Sequence, residues 1–412
     1  MPALLPLVAL GGVLVTTMLR GVRSFPLGIW LAMDLGALAV LATGQIGLKE
    51  AAQAIDPDVM LFLLGMFIIG SALELSGYLS TLTTRLLSGA KNGEALLLRI
   101  LLLMGLLSAI LMNDTLAVIG TPALLSVAER QNLDPRPLLL ALAFAITIGS
   151  AMSPIGNPQN LLIATGSNMR EPFSTFLRYL FVPTLLNLLS AFLLLRAFYG
   201  QEMRKPLRWD NGPRSEDRRL ASLCRHSLEL LLALSGLRVA LAYLLPQGTF
   251  RLSYIALASS FPLLLLSGRR IEILRHVDWR TLAFFLGMFV LMRSVWLTGT
   301  FQAAMGALGL LLHDPTHIIL VSLLFSQLLS NVPLTALLLP SVMHGDEKAA
   351  VALAAGSTIA GNFTLLGAAS NIIIIQGAEA RRRTLSFWDF VRVGAPLTAV
   401  NSLTVWAFLV LL

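Results

Sequence analysis

Two pairs of short polar stretches interrupt the apolar runs of this chain, and they hold the residues best suited to bind a solute. Residues 113–122 read Asn-Asp-Thr-Leu-Ala-Val-Ile-Gly-Thr-Pro, and residues 331–340 read Asn-Val-Pro-Leu-Thr-Ala-Leu-Leu-Leu-Pro. Further along, residues 153–160 read Ser-Pro-Ile-Gly-Asn-Pro-Gln-Asn, and residues 364–371 read Thr-Leu-Leu-Gly-Ala-Ala-Ser-Asn. A duplicated unit whose apolar segments are interrupted at corresponding places is the best sequence indication of a secondary transporter and its substrate site.

We name residues 113–115 and the region of Asn331 the first and second tips, and 153–160 and 364–371 the first and second breaks. In the first break, Asn157 can cap a helix that begins at Pro158. The other cap candidates are Asn331, Ser370, and Asn113 or Asp114. The free N–H groups of such helix starts favour anions or oxygen lone pairs. As an alternative, the carbonyl groups at the helix ends near Gly156 and Gly367 could hold a cation.

Asp114 is the only carboxylate in either tip or either break. A carboxylate at membrane depth costs several kcal/mol unless it is paired, neutral or hydrated, so a functional role is the default hypothesis. We therefore predict that Asp114 carries a coupling proton; the alternative is a protonated or helix-capping side chain. Glu74 is the second candidate for proton coupling, although its place near a helix end favours an ion pair with a basic residue.

Other kinds of site have no support in the sequence. There is no GxxxxGK[ST] loop for ATP, no Cys/His spacing typical of zinc and no nucleophile elbow. The single cysteine, Cys224, allows neither an internal disulfide nor a site of three thiolates. We predict no catalytic residues, no metal site and no cofactor.

The composition is that of a membrane protein. Hydrophobic residues make up 56% and charged residues 13% of the chain, against about 25% charged residues in soluble domains. Apolar runs long enough to cross a bilayer recur along the sequence. The net charge of +8 resides in the connections between these runs, where basic residues set membrane orientation, and it does not indicate nucleic-acid binding.

The charge of the connections also predicts the topology. The stretch 200–226 holds seven Arg and Lys residues and is predicted to be cytoplasmic. Corresponding connections in the two repeats have opposite charge bias: 269–280 holds four Arg, whereas its counterpart at 46–56 is mainly acidic. Opposite bias is what two inverted repeats require. We expect an all-α membrane protein with about ten spanning helices, two re-entrant hairpins, two broken helices and both termini outside.

These patterns divide the chain into five parts. The predicted parts are an extra N-terminal membrane helix (1–26), repeat 1 (27–199, with hairpin 95–128 and broken helix 138–167), the cytoplasmic linker (200–226), a connecting membrane helix (227–250), and repeat 2 (251–412, with hairpin 316–343 and broken helix 349–379).

Over nearly its whole length the chain resembles the ion transporter superfamily. The resemblance rests on the Asn-Asp first tip, the Pro-Ile-Gly first break and the Ser-Asn-Val-Pro-Leu-Thr second tip. That group includes arsenite-efflux permeases of the ArsB type, sodium/proton antiporters, and transporters of citrate and divalent anions. The first tip is most similar to the arsenite-efflux branch. The resemblance implies a homodimeric scaffold and an elevator-like moving domain, in the plasma membrane of a prokaryote, with a soluble ATPase subunit as a further candidate partner.

The same resemblance assigns the site. The implied substrate-binding residues, with polar residues of the breaks added, are Asn113, Thr115, Ser153, Asn157, Asn160, Asn331, Thr335, Thr364, Ser370 and Asn371, next to Asp114. Arsenite is the uncharged As(OH)3 at neutral pH, and amides and hydroxyls can bind it without a counter-charge. We therefore rank arsenite or antimonite exchange for protons first. A proton- or sodium-coupled transporter of a small di- or tricarboxylate or sulfate comes second, and sodium/proton exchange third.

Overall fold

The computed structural model describes residues 4–22, 28–207, 209, 217–245, 250–307, 312–342, 346–383 and 385–411. Parts of the predicted N-terminal helix, linker and connecting helix lie outside these ranges. Within them every regular element is a helix, apart from a single β-bridge between Asn92 and Pro206. The fold of the described residues is therefore all-α, as predicted.

The helices are numbered in chain order. They are α1 Leu5–Val22, α2 Ile29–Ala42, α3 Leu48–Ala54, α4 Pro57–Ser76, α5 Tyr78–Leu87, α6 Gly93–Ser108, α7 Asn113–Gln131, α8 Pro135–Ser150, α9 Pro158–Gly166, α10 Pro172–Met203, α11 Arg218–Leu244, α12 Leu252–Leu266, α13 Arg270–His276, α14 Trp279–Leu297, α15 Thr300–Ala307, α16 Pro315–Leu329, α17 Asn331–Val342, α18 Glu347–Ala360, α19 Ala369–Glu379 and α20 Phe387–Leu411.

Five of these helices are long and apolar enough to cross a membrane: α4, α10, α11, α14 and α20. Six shorter apolar helices accompany them: α1, α2, α8, α12, α16 and α17. Several helices begin where a polar residue precedes a proline, as at Asp134–Pro135 and Asp314–Pro315. The carboxylate there accepts a hydrogen bond from a free N–H group, and proline needs no donor at the first helical position.

The tips and breaks interrupt the helices as the sequence predicts. A short turn at 109–112 joins α6 to α7, and Ser330 alone, with a positive φ of 65°, joins α16 to α17. The first break separates α8 from α9, and the second break, with a 3-10 turn at Leu365–Gly367, separates α18 from α19. The prediction of two helical hairpins and two broken helices is confirmed.

The helix contacts occur twice, in the same order along the chain. Hairpin helix α6 packs on α8, and α16 packs on α18. Across the repeats, α7 packs on α19 and α17 on α9, while α4 packs on α12 and α14 on α2. Helix α1 packs on α2 and α14, just as α11 packs on α12 and α4. Helices α1 and α11 thus occupy equivalent places in the two halves. The predicted boundaries between the five parts of the chain stay a prediction.

The last helices of the two halves, α10 and α20, also pack against each other. The side-chain amide of Asn187 on α10 donates to the main-chain oxygen of Asn401 on α20, at 3.5 Å. Six further pairs of identical residues in these helices have the same separation of 214 positions, among them Phe173 and Phe387, Phe176 and Phe390, and Arg178 and Arg392. The two asparagines therefore occupy equivalent positions where the halves of the molecule meet.

Candidate functional site

Both tips and both breaks meet at one cavity of about 240 Å³. Helices α1, α2 and α14 form the opposite wall, with apolar side chains such as Met33 and Phe285. The polar residues that line the cavity are Asn113, Asp114, Gln159, Arg280, Thr281, Ser330 and Asn331. Amides and hydroxyls thus dominate, with one carboxylate and one guanidinium among them.

The first tip is bonded to the first break through the backbone. The N–H group of Asn113 donates to the carbonyl oxygen of Gly156 at 3.0 Å. The Asn113 side chain is 6% exposed, and its Oδ1 has no hydrogen-bond partner among the described residues. A buried polar atom without a partner costs free energy, so this position suits a bound solute, ion or water that supplies the bond.

The asparagines of the first break are bonded within the protein. Asn157 caps α9 by accepting from the N–H group of Asn160 at 2.8 Å, and its Nδ2 donates to Ser150 Oγ at 3.0 Å. Asn160 Nδ2 donates to the main-chain oxygens of Ser150 and Ser153, each at 3.0 Å. Both asparagines are fully buried. These contacts hold the interrupted backbone in place.

Thr358 of α18 joins this network from the other half of the chain. Its hydroxyl accepts from Asn157 Nδ2 at 3.2 Å and Gln159 Nε2 at 3.4 Å, and lies 3.3 Å from Asn160 Oδ1, to which it can donate. One hydroxyl thus bonds three side chains that lie about two hundred residues away in sequence. The first break is fixed to the second half of the molecule by this threonine.

The second break is bonded less completely. Asn371 Nδ2 donates to the main-chain oxygen of Gly361 at 2.8 Å, and Thr364 Oγ1 donates to Gln327 Oε1 at 2.9 Å. Among the described residues, buried side-chain oxygens of the second hairpin and second break lack a hydrogen-bond partner: Asn331 Oδ1, Thr335 Oγ1, Ser370 Oγ and Asn371 Oδ1. Its side chains therefore retain hydrogen-bonding capacity that those of the first break have used.

The candidate residues predicted from sequence lie in three places. Asn113, Asp114 and Asn331 line the cavity. Thr115 and Glu74 line a neighbouring crevice. The others lie behind the cavity wall, in or beside the breaks and the second hairpin: Ser153, Asn157, Asn160, Thr335, Thr364, Ser370 and Asn371. Four residues of the site were not predicted from the sequence: Gln159, Arg280, Thr281 and Thr358. Of these, Gln159 lies within the first break.

Asp114 borders two spaces. Besides the cavity it lines a crevice of about 120 Å³, together with Glu74, His276 and Asp278. Among the described residues, no basic side chain lies within ion-pair distance of Glu74, so the ion pair expected for it is not formed. No group of His, Cys, Asp and Glu in the described part of the chain is arranged to hold a metal ion.

A second crevice, of about 710 Å³, lies beside the second hairpin. Its walls come from α3, α9, α14 and α17, which are the counterparts of the α13, α19, α4 and α7 walls of the small crevice. Lys49, Glu50, Asp56 and Arg293 supply its charges, and Arg293 lies 3.5 Å from Glu50. The crevice beside the second hairpin is thus the larger of the two.

The chain is similar in sequence to one transporter family and to individual transporters. The sequence profile of a family described as citrate transporters matches residues 13–350. An uncharacterized transporter of Mycobacterium tuberculosis is 30% identical over 372 residues, which covers 84% of both chains. The silicon efflux transporter LSI3 of Oryza sativa subsp. japonica is 29% identical, with 95% of this chain and 94% of that protein covered.

The fold has a counterpart among solved structures. The crystal structure of the YdaH transporter of Alcanivorax borkumensis superposes with a TM-score of 0.59, over 99% of this chain and 97% of that one. At 16% sequence identity this likeness concerns the fold alone.

Proposed function

Since this chain belongs to the citrate transporter family, we propose that it exports a small uncharged oxyacid, of the arsenite, antimonite or silicic acid type, in exchange for protons. The family consists of membrane transporters, so the chain is a multi-pass membrane transporter and not an enzyme. The proposal concerns the substrate, the coupling ion and the direction of transport.

The observation that carries the proposal is the chemistry of the cavity at the two tips. Asn113, Asn331 and Gln159 offer amide groups, which both donate and accept hydrogen bonds. As(OH)3 and Si(OH)4 carry hydroxyl groups that also do both, and neither solute needs a counter-charge at neutral pH. The similarity to a silicon efflux transporter of rice supports a solute of this class.

Asp114 provides the coupling to protons in this proposal. Its carboxylate accepts a hydrogen bond from a hydroxylated solute more strongly than the protonated acid does. Protonation on the outer side would therefore promote release of the solute, and loss of the proton on the inner side would favour binding again. Because the carrier then holds either a proton or the solute, the two move in opposite directions.

A carboxylate substrate such as citrate is the second candidate, because Arg280 lines the cavity. A guanidinium binds carboxylates through paired N–H donors. The family description also names citrate. In this alternative, the tips bind the hydroxyl group and Arg280 binds a carboxylate, so Arg280→Gln would abolish transport of citrate.

Transport by the purified protein in liposomes tests both candidates. Arsenite, silicic acid, citrate and sodium are compared across an imposed pH gradient. We expect uphill movement of arsenite or silicic acid driven by the gradient, and loss of that movement in Asp114→Asn. Asp346→Asn, which changes a cap residue away from the cavity, is the matched control. Uphill transport of citrate alone would replace the first candidate by the second.

A further inference from the structure

Two opposite charges at the start of α14 lie on either side of Asp114. Arg280 lines the cavity with Asp114, whereas Asp278 lines the small crevice with Asp114. Asp114 lies in the first turn of α7, which belongs to the first hairpin. Any sliding of this hairpin along the start of α14 therefore changes the distances from Asp114 to both charges.

The Asp278 carboxylate is held in place by hydrogen bonds, whereas the Arg280 guanidinium is free to move towards a nearby carboxylate. Asp278 accepts from the N–H group of Thr281 at 3.0 Å and from its hydroxyl at 2.6 Å. Arg280 forms no ion pair within the described part of the chain. The Arg280 guanidinium is thus available to a carboxylate that comes near it.

The other charged groups near Asp114 are few. Glu74 of α4 and His276 of α13 line the small crevice, and His276 Nδ1 lies 2.9 Å from the main-chain oxygen of Glu272. Helices α5, α6, α8 and α19 also pack on α7. Their charged side chains line neither the cavity nor the crevice: Arg85, Glu94, Arg99, Arg136 and Glu379. The start of α14 is therefore the source of opposite charges on the two sides of Asp114.

We propose that Asp278 and Arg280 control the position of the first hairpin through the charge of Asp114. The ionised carboxylate is repelled by Asp278 and attracted by Arg280, so the hairpin is held towards Arg280. The protonated acid carries no charge and releases the hairpin from both. This inference rests on the proposed function, in which Asp114 carries the coupling proton, and it explains how a bound proton alters the conformation.

The direction of the pH effect follows from these charges. Raising the pH ionises Asp114 and increases the population in which the hairpin lies near Arg280. Lowering the pH protonates Asp114 and reduces this population. One charge pair in a partly hydrated site changes such a ratio by about tenfold.

Distances between two spin labels in lipid nanodiscs measure this population without any substrate. In a Cys224→Ser background, one label is placed at Glu129→Cys, at the end of α7, and the other at Ile271→Cys on α13; both positions are exposed. We expect two distance populations whose ratio changes about tenfold between acidic and alkaline buffer. Asp114→Asn should remove the change.

The decisive variants alter the charges on α14. Arg280→Gln and Asp278→Asn should each reduce the pH-dependent change about threefold, and asparagine keeps the helix cap at 278. The matched controls are Arg275→Gln, which lines neither space, and Asp56→Asn, the equivalent cap of α4. Both controls should keep the full change.

The outcomes separate this inference from the proposed function. If Asp114→Asn removes the change but both α14 variants retain it in full, the α14 charges have no such role and Asp114 keeps its coupling role. If the wild-type protein shows no change while Asp114→Asn still stops proton-driven transport, the inference alone fails. If Asp114→Asn retains both the change and uphill transport, the inference and the proposed function fail together.

Discussion

The two breaks are built on the same plan but are bonded differently. In the first break, Asn157 and Asn160 use their amides on neighbouring groups and on Thr358. In the second, an alanine, Ala368, replaces the asparagine cap, and the Oδ1 of Asn371 has no partner within the ranges that the structure describes. The first break is thus held in place by hydrogen bonds within the protein. The second break retains polar atoms that can bind a ligand or water.

The threonines before the breaks show the same difference. Thr147-Ile148 precedes the first break, as Thr358-Ile359 precedes the second. The hydroxyl of Thr358 bonds three side chains, whereas the buried hydroxyl of Thr147 has no partner in the described part of the chain. The two breaks therefore have equivalent backbones, and single side-chain differences give each break a different set of hydrogen bonds. The two tips also differ in charge, because Val332 of the second tip occupies the position equivalent to Asp114 of the first.

The largest expected contrast is the side of the membrane on which equivalent helices lie. Leu48→Cys on α3 and Ile271→Cys on α13 are both exposed positions and can be made in a Cys224→Ser background. If the repeats are inverted, a membrane-impermeant maleimide labels the first only from outside and the second only from the cytoplasm. Labelling of both from the same side would show that the repeats are parallel.

The next contrast concerns the contacts between each hairpin and its broken helix. A Cβ atom on Gly149 would overlap the backbone of Gly105, whereas one on Gly356 would lie 3.0 Å from the Cβ of Ser322. Overpacking against backbone costs about 3 kcal/mol or more, while alanine gains about 1 kcal/mol in helix propensity. Gly149→Ala should therefore strongly lower the apparent Tm in detergent, and Gly356→Ala should change it little. If the two variants had equal Tm values, the packing at Gly149 would be no tighter than the packing at Gly356.

A smaller contrast separates the two threonines. Thr358→Val removes one hydrogen bond from each of three polar side chains, Asn157, Gln159 and Asn160, and should cost about 1–3 kcal/mol. Thr147→Val removes an unpartnered buried hydroxyl, so its cost should be near zero or favourable. Thermal unfolding of both variants in the same detergent measures the difference. A larger loss for Thr147→Val would mean that its hydroxyl binds a ligand or a water that stabilises the fold.

The tips and breaks could be predicted because polar residues, proline and glycine stand out within apolar runs. The superfamily predicted from them is confirmed by the family match. The role of Thr358 could not be predicted, because its partners are about two hundred residues away and one threonine in a buried helix gives no local signal. Arg280 was counted only as one of the basic residues that set orientation. Its place in the cavity depends on how α14 packs.

The start of α11 was not predicted from the sequence either, for a different reason. The sequence places Cys224 in a polar linker, whereas α11 begins at Arg218, with Asp217 accepting from the N–H group of Leu220 at 3.1 Å. Asp217 also forms an ion pair with Arg269, and these two contacts hold the pKa of its carboxyl below its usual value. The start of this helix could not be predicted, because the many charges of 200–226 give the segment the composition of a polar linker.

The smallest expected effect is that of Cys224→Ser. The cysteine is fully buried in α11, its Sγ lies 3.6 Å from Ser76 Oγ on α4, and it lines neither the cavity nor either crevice. Serine keeps a donor at this position, so arsenite transport should stay within about twofold of the wild-type rate, as for substitutions remote from a site. In the other half, Thr298, the counterpart of Ser76, donates to the main-chain oxygen of Val295 and accepts from the N–H group of Thr300. If Cys224→Ser abolished arsenite transport in liposomes but left the apparent Tm unchanged, arsenic would be bound by the thiol, and the amide-lined cavity would lose its assigned role.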